Sequence, residues 1–171
     1  MDTVEKDIER VLISQVEIEK NVQKIGAQIS ADYAGKEPIF VGVLKGCFIF
    51  MADLMRHVTV NCSMDFMAVS SYRGTTSTGA VKINKDLNED IEGRHLILVE
   101  DILDSGITLN YLKNYLAVRR PASIKIVTLM DKPARRIYMQ TIPALKCLTH
   151  SLSAMGSTIT SATAISRTSA Y

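Results

Sequence analysis

Near its start the chain carries apolar residues at helical spacing, which predicts a long amphipathic helix. These residues are Ile18, Val22, Ile25, Ile29 and Tyr33. Ser14 followed by Glu17 has the spacing of a capping box and marks the start of the helix, and Gly35 marks its end. We expect this helix to contribute to the core rather than to chemistry.

Short apolar runs farther along the chain predict the strands of a sheet. The runs cover residues 39–44, 64–72, 80–84, 96–100 and 123–129, and the segments 47–58 and 107–118 between them predict helices. A threonine- and serine-rich stretch at 74–79 is expected to form a mobile loop between two of the strands. Strands that alternate with helices in this way predict an α/β fold with a mostly parallel, doubly wound and twisted sheet flanked by helices.

One polar stretch after the apolar run at 96–99 carries most of the candidate chemistry. It contains the carboxylates Glu100, Asp101 and Asp104, followed by Ser105, Gly106, Ile107 and Thr108. Because Ile107 is expected to begin a helix, the N–H groups and hydroxyls of the turn before it can bind a phosphate at the helix N-terminus.

The carboxylates of this stretch need a different partner, because Glu100 and Asp101 would repel a phosphate. Vicinal sugar hydroxyls and a divalent cation suit them better, and Asp104 is left as a candidate general base. A simpler interpretation, an acidic loop in which one Asp and one Ser cap the helix, explains fewer of these residues.

Composition limits the kind of protein. The chain has 171 residues, 47% hydrophobic and 22% charged, which predicts one globular domain with a sizeable core. The net charge of +2 is too small to indicate a nucleic-acid partner. No apolar run is long enough to predict a membrane span, and the acidic N-terminus argues against a signal peptide. The three cysteines lack metal-ligand spacing and cannot all pair, which is typical of the reducing cytoplasm.

The stretch from Leu96 to Leu109 resembles the phosphoribosyl-pyrophosphate loop of the type I phosphoribosyltransferases, and in detail that of their bacterial hypoxanthine-guanine branch. Other segments match the family in order and spacing, at 41–48, 65–67, 70–72, 85–87 and 129–136. The resemblance implies a phosphoribosyltransferase core over residues 1–136. It implies transfer of the 5-phosphoribosyl group from phosphoribosyl pyrophosphate to hypoxanthine or guanine, which gives IMP or GMP and pyrophosphate in purine salvage.

The resemblance also implies roles for segments outside the acidic stretch. Leu44, Lys45 and Gly46 would lie beside the pyrophosphate, where the Leu44–Lys45 peptide bond can be cis. Ser71 and Tyr72 would belong to a flexible lid over the ribose. Such a lid would exclude water from the reacting carbon.

Within the acidic stretch, the resemblance implies that Glu100 and Asp101 bind the ribose and Mg²⁺, and that the cation neutralises the pyrophosphate. Asp104 would take a proton from the purine ring, and residues 105–108 would hold the 5-phosphate. Lys132 would recognise the exocyclic oxygen of a 6-oxopurine. A homodimer or homotetramer is also implied.

Residues 137–171 depart from the family pattern. They are mostly serine, threonine, alanine and scattered apolar residues, and no Asp or Glu follows Asp131. Their composition favours a low-complexity or disordered tail. The family instead has a run close to Phe-Glu-Val-Pro-Asp-Ala-Phe-Val-Val-Gly-Tyr-Gly-Leu-Asp-Tyr, which stacks on and reads the purine. The tail therefore replaces the family's purine-binding hood.

A frameshift explains this tail better than low complexity does. Residues 145–150 can be encoded as TTG AAG TGC CTG ACG CAT, and reading from one base earlier gives Glu-Val-Pro-Asp-Ala. Residues 151–158, encoded as TCG TTG TCG GCT ATG GGC TCG ACT, then give Phe-Val-Val-Gly-Tyr-Gly-Leu-Asp, and residues 167–169, as CGT ACA TCG, give Pro-Tyr-Ile. We interpret 137–171 as a frameshifted translation, from a sequencing error or a mutation, that begins between Arg136 and Gln140.

Two further interpretations stay open. Proteins with a phosphoribosyl-pyrophosphate loop can act as regulators that bind RNA or DNA, although the low net charge of this chain speaks against a basic binding face. The chain can also be an inactive frameshifted product with an intact core.

Overall fold

The computed structural model describes residues 13–71 and 81–131, with only the backbone at Ser71, and the backbone at 144–145 and 148–149. The predicted loop at 74–79 and most of the predicted tail lie outside these residues. The helices are α1 (Gln15–Asp32), α2 (Phe48–Met55) and α3 (Ile107–Ala117), and the strands are β1 (Ile39–Leu44), β2 (Ser63–Ser71), β3 (Val81–Lys85), β4 (His95–Leu103), β5 (Ser123–Asp131), β6 (Ala144–Leu145) and β7 (Leu148–Thr149).

The first helix forms as its apolar spacing predicts. Ser14 is the N-cap of α1, and its Oγ accepts a hydrogen bond from the backbone N–H of Glu17 at 3.2 Å. Val22, Ile25 and Ile29 are buried on one side of the helix. The side-chain cap replaces a helix bond that the first turn cannot make, so the prediction of both the start and the core face of α1 is confirmed.

The strands form one sheet in the order β3-β2-β1-β4-β5-β6, with β7 also paired to β5. β3 runs antiparallel to β2, while β1 is parallel to both of its neighbours and β5 is parallel to β4, β6 and β7. The mostly parallel α/β sheet predicted from the sequence is confirmed.

Helices cover both faces of this sheet. Apolar residues of α1 and α2 pack with Phe40, Ile97 and Val99 on one face. Residues of α3 pack on the other face with Val41, Leu96 and Leu98. Because side chains alternate along a strand, each central strand contributes to both cores, which explains why β1 is apolar at nearly every position.

Several element boundaries differ from the prediction, and three of the differences are informative. β4 continues to Leu103, rather than ending at Glu100, because Ile102 and Leu103 stay in register with Met130 and Asp131 of β5. β5 likewise continues to Asp131. α2 ends at Met55, well before the predicted Val58. Val58 lies outside the helix but still packs against the core, which explains why an apolar residue at this position does not indicate helix.

None of the helices that the structure describes combines the length and the apolar character that a bilayer span requires.

Candidate functional site

The candidate site lies where the sheet changes its winding direction. From β1 the chain moves to β2 on one side, and β4 later pairs with the other side of β1. In open α/β sheets, ligands bind outside the carboxyl ends of the strands at such a switch point. The two predicted site segments, 44–46 and 100–108, span the carboxyl ends of β1 and β4 respectively.

The segment after β1 is a tight turn. The Leu44–Lys45 peptide bond is cis, as the resemblance implied. Lys45 and Gly46 are exposed, and Leu44 is half-buried. Cys47 follows as the buried N-cap of α2. The turn therefore exposes Lys45 and Gly46 at the ligand edge of the sheet.

The carboxylates of Glu100 and Asp101 occupy the last part of β4. Burial, and then the charge of Asp101, raise the pKa of Glu100 from 4.5 to about 8. Burial also raises the pKa of Asp101. The Oε2 atom of Glu100 is buried without a hydrogen-bond partner in the part of the chain that the structure describes. A buried oxygen of this kind suits a hydroxyl donor or a cation brought by a ligand.

Gly46 and Asp101 bring the two segments together. A Cβ atom at Gly46 would lie 2.9 Å from both carboxylate oxygens of Asp101. Glycine is therefore needed for this carboxylate to approach the turn after β1. The segment 44–46, predicted to bind pyrophosphate, therefore lies next to Asp101 in the segment predicted to bind ribose and a cation.

The turn from Asp104 to Gly106 leads directly into α3. Gly106 is the N-cap, with a positive φ of 77°, and makes no side-chain cap bond. Ser105 Oγ accepts from the Ile107 N–H at 3.4 Å, a long contact. Since the first N–H groups of a helix have no acceptor within it, this end of α3 can receive an anion. The N-cap position itself is occupied by glycine rather than by the Asp or the Ser of the simpler capping interpretation.

A buried thiol lies behind the acidic pair. Burial, and then the charges of Glu100 and Asp101, raise the pKa of Cys47 from 9.0 to about 12. Its Sγ atom would lie 2.9 Å from a Cβ at Gly42, so it fills the space beside β1. The thiol is therefore neutral packing, and no spacing signal in the sequence indicated its place.

Two polar networks that the sequence analysis missed anchor the segment after β3. Buried Asp65 accepts from Lys85 Nζ at 3.1 Å and from the Asn88 N–H at 2.7 Å. Burial would raise the pKa of Asp65, but hydrogen bonds from Asn88, Phe66 and Lys85, together with the Lys85 charge, hold it below its usual value.

The second network joins the same segment to α3. Asp86 accepts from the Tyr115 hydroxyl at 2.6 Å and pairs with Arg119. The Lys85-Asp86-Leu87 match to the family was the only sequence signal at this place, and it carried no role.

The side chains of three predicted site residues are not among those that the structure describes. Tyr72 and Lys132 lie outside the described residues, and only the backbone of Ser71 is described, at the end of β2. The structure thus brings together Leu44, Lys45, Gly46, Glu100 and Asp101 at one edge of the sheet, with residues 104–108 continuing from β4. The predicted lid and purine-recognition roles stay predictions.

Comparisons with known proteins give the family. The phosphoribosyl transferase domain model matches residues 12–150. The hypoxanthine-guanine phosphoribosyltransferase of Bacillus subtilis is 52% identical over 131 residues, which cover 76% of this chain and 73% of that protein.

Solved structures agree. The hypoxanthine-guanine phosphoribosyltransferase (hpt-2) of Bacillus anthracis superposes with a TM-score of 0.75 at 41% identity, covering 80% of this chain and 82% of that chain. A variant of hypoxanthine phosphoribosyltransferase from Trypanosoma cruzi, complexed with the product IMP, gives a TM-score of 0.72 at 37% identity, covering 80% of this chain and 75% of that chain. This chain belongs to the phosphoribosyltransferase family, and the relatives that it matches are purine-salvage enzymes of the hypoxanthine-guanine type.

Proposed function

We propose that the site at the carboxyl ends of β1 and β4 transfers the 5-phosphoribosyl group of phosphoribosyl pyrophosphate to hypoxanthine or guanine. The products are IMP or GMP and pyrophosphate. One observation carries the assignment of the site: Gly46 lies against the Asp101 carboxylate, at the switch point of the sheet. The turn at Lys45 and Gly46, assigned to the pyrophosphate, thus lies beside the Asp101 carboxylate, which is assigned with Glu100 to the ribose. The bond between ribose and pyrophosphate, which breaks in the reaction, would lie between them.

The 5-phosphate is assigned to the start of α3. Ser105 and Thr108 supply hydroxyls, and Gly106 and Ile107 supply backbone N–H groups, where Gly106 has no side chain that could keep the phosphate away. The positive end of the helix dipole adds to the attraction for the phosphate. The ribose then lies between this helix end and the turn after β1.

Glu100 and Asp101 are assigned to the ribose hydroxyls. A carboxylate can accept hydrogen bonds from two vicinal hydroxyls. Glu100 has a raised pKa and a buried oxygen that finds no partner among the described residues, so a hydroxyl or a cation would stabilise its charged form. Orientation of the ribose places its anomeric carbon between the purine and the pyrophosphate.

Asp104 is assigned as the general base. It follows β4 directly, between the carboxylate pair and the phosphate turn, and is half-buried. From there its carboxylate takes the proton from the imidazole ring of the purine while that nitrogen bonds to the anomeric carbon. The pyrophosphate departs with the electron pair of the broken carbon–oxygen bond.

The donor set fits Mg²⁺, the cofactor implied by the resemblance. No group of three or more His, Cys, Asp or Glu side chains within the described residues could hold a metal ion. Mg²⁺ commonly uses only one or two carboxylates, together with substrate oxygens and water. Glu100 and Asp101 would hold the ion, which would neutralise charge on the leaving pyrophosphate.

Three further parts of the proposal are supported by the sequence resemblance. Lys132 recognises the purine, Ser71 and Tyr72 belong to a lid, and the core ends at residue 136. A cytoplasmic location and a homodimer or homotetramer are also proposed. The free thiols of Cys47 and Cys62 support a reducing compartment.

Two measurements test this function. Ser105→Ala combined with Thr108→Ala should weaken phosphoribosyl pyrophosphate in calorimetric titration, since each lost charge-assisted hydrogen bond is worth about 1.5–3 kcal/mol. Thr59→Ala, an exposed threonine before β2, is the matched control and should change nothing. Unchanged binding in the double variant would place the 5-phosphate elsewhere.

The reaction itself is tested in a chain whose C-terminal reading frame has been restored. Incubation with hypoxanthine and phosphoribosyl pyrophosphate should give IMP, measured by chromatography. Absence of transfer to either hypoxanthine or guanine by this folded chain would refute the proposed reaction.

A further inference from the structure

Thr128 is the second buried polar side chain at the candidate site that lacks a partner. It lies in β5 with 0% of its surface exposed, and its Oγ1 atom has no hydrogen-bond partner among the residues that the structure describes. A buried hydroxyl without a partner destabilises a folded protein. Its presence in a strand that is otherwise apolar here therefore needs an explanation.

The sheet register places Thr128 beside Glu100. The two residues are direct partners in the parallel pairing of β4 and β5, and neighbouring strands lie about 4.8 Å apart. The unpartnered Oε2 of Glu100 thus belongs to the residue directly across from the unpartnered Thr128 hydroxyl.

Both side chains point to the same face of the sheet. Along β4, Leu98 packs on the α3 side and Val99 on the opposite side. Along β5, Ile126 packs on the α3 side and Val127 on the opposite side. Because side chains alternate, Glu100 and Thr128 both face α3, the helix whose first turn is assigned to the 5-phosphate.

We propose that Thr128 is a positioning residue, whose hydroxyl donates a hydrogen bond to the Glu100 carboxylate when Glu100 engages the ribose of phosphoribosyl pyrophosphate. This inference rests on the proposed function, because it takes the ribose as the partner of Glu100. A hydroxyl that donates to one carboxylate oxygen fixes the rotation of the group and aims the other oxygen at the ligand. Binding of the ligand would thereby give hydrogen-bond partners to both Glu100 Oε2 and the Thr128 hydroxyl.

The test is calorimetric titration of the full chain with phosphoribosyl pyrophosphate in the presence of Mg²⁺. Thr128→Val removes the hydroxyl at nearly constant shape and should weaken binding about tenfold, which corresponds to about 1.4 kcal/mol. Thr128→Ser keeps the hydroxyl and should bind close to the original chain. Ser63→Ala is the matched control, because Ser63 Oγ is also buried with no partner in the described part of the chain but lies at the amino end of β2, away from the site.

Stability separates positioning from a structural role. Because Thr128→Val removes an orphan hydroxyl, its urea midpoint without ligand should equal or exceed that of the original chain. A lower midpoint for Thr128→Val, with binding weakened equally in Thr128→Ser, would show a structural role and overturn the proposal.

A double-mutant cycle shows whether Thr128 acts through Glu100. Adding Thr128→Val to Glu100→Gln should weaken binding no further than Glu100→Gln alone, whereas independent effects would multiply and overturn the proposal. If Glu100→Gln leaves the affinity unchanged, the ribose role in the proposed function fails and this inference fails with it. Weakened binding in Glu100→Gln with normal binding in Thr128→Val overturns the role of Thr128 alone.

Discussion

Replacement of Glu100 by Gln should make the unliganded protein more stable at alkaline pH and remove much of its pH dependence. In the folded protein, burial and the neighbouring Asp101 charge raise the pKa of Glu100 to about 8, against an ordinary value of 4.5. Between these two pH values the folded state holds a proton that the unfolded state has released. The free energy of unfolding therefore falls as the pH rises.

The magnitude follows from the size of the shift. One pKa unit corresponds to about 1.36 kcal/mol. The rise from 4.5 to about 8 therefore corresponds to a loss on the order of 5 kcal/mol. The contribution is fully present below pH 4.5 and has been lost once the pH exceeds about 8. Glutamine is neutral throughout, so Glu100→Gln retains the stability that the original chain loses.

Urea denaturation at pH 5 and pH 8.5 measures the effect, and this window separates Glu100 from several other shifted groups. Hydrogen bonds hold the pKa values of Asp65 and Asp86 below 3.8, despite the raising effect of burial, so these groups change stability only in stronger acid. Cys47, raised to about 12 mainly by burial, affects stability only above pH 9.

The exposed Glu19→Gln variant on α1 serves as the control and should follow the original chain at both pH values. Equal stability changes from pH 5 to pH 8.5 in the original chain and in Glu100→Gln would refute the reasoning, because Glu100 would then be charged in the folded protein at the lower pH.

Three further predictions concern the site and the tail. Gly46→Ala should leave the fold intact but displace the Asp101 carboxylate, which would lie 2.9 Å from the new Cβ, so calorimetry should show weaker phosphoribosyl pyrophosphate binding; unchanged affinity would count against this assignment. Asp104→Asn in a frame-restored chain should keep phosphoribosyl pyrophosphate affinity and lower turnover about 100-fold to 10,000-fold, and near-normal turnover would rule out its role as the base. Frame restoration by one base should raise purine affinity and turnover, since stacking on an aromatic side chain is worth about 1–3 kcal/mol per base; full activity of the present chain, with its mass confirmed, would contradict the frameshift.

Elements with a complete local signal could be predicted from the sequence. β1 has the predicted limits, Ile39 and Leu44, because a strand buried on both faces is an uninterrupted apolar run that ends at the first charged residue. The predicted start of α1 rests on Ser14, whose side chain makes the expected cap. In both cases the residues that decide the structure are neighbours in the chain.

The predicted end of β4 was wrong because the polarity of its residues and the pairing of its backbone point to different ends. Glu100 and Asp101 look like the end of a strand because carboxylates rarely occur within a buried one. The sheet ladder is made by backbone groups, so β4 continues through them to Leu103. In this chain the two acidic residues inside the strand indicate a candidate functional site rather than a boundary, because the sheet holds both carboxyl groups where burial raises their pKa values.

The remaining features depend on residues far apart in the chain. Asp65 and Asn88 are separated by 23 positions, and Arg119 and Asp86 by 33. No local pattern specifies which residues the sheet order brings together.

The same reason explains why the sequence predicted the chemistry of the acidic stretch but not the residues that support it. Carboxylates, glycine and hydroxyls that follow one another along residues 100–108 can be recognised as a motif wherever the strand lies. Thr128 has no neighbouring polar residue that could suggest a role, and it becomes informative only when the register pairs it with Glu100. Residues that bind a ligand can form a local pattern because one turn presents them together, whereas residues that orient them come from the adjacent strand. For this chain, the acidic motif can therefore be recognised from the sequence, but the contact between Glu100 and its proposed positioning residue can be inferred only from the register between β4 and β5.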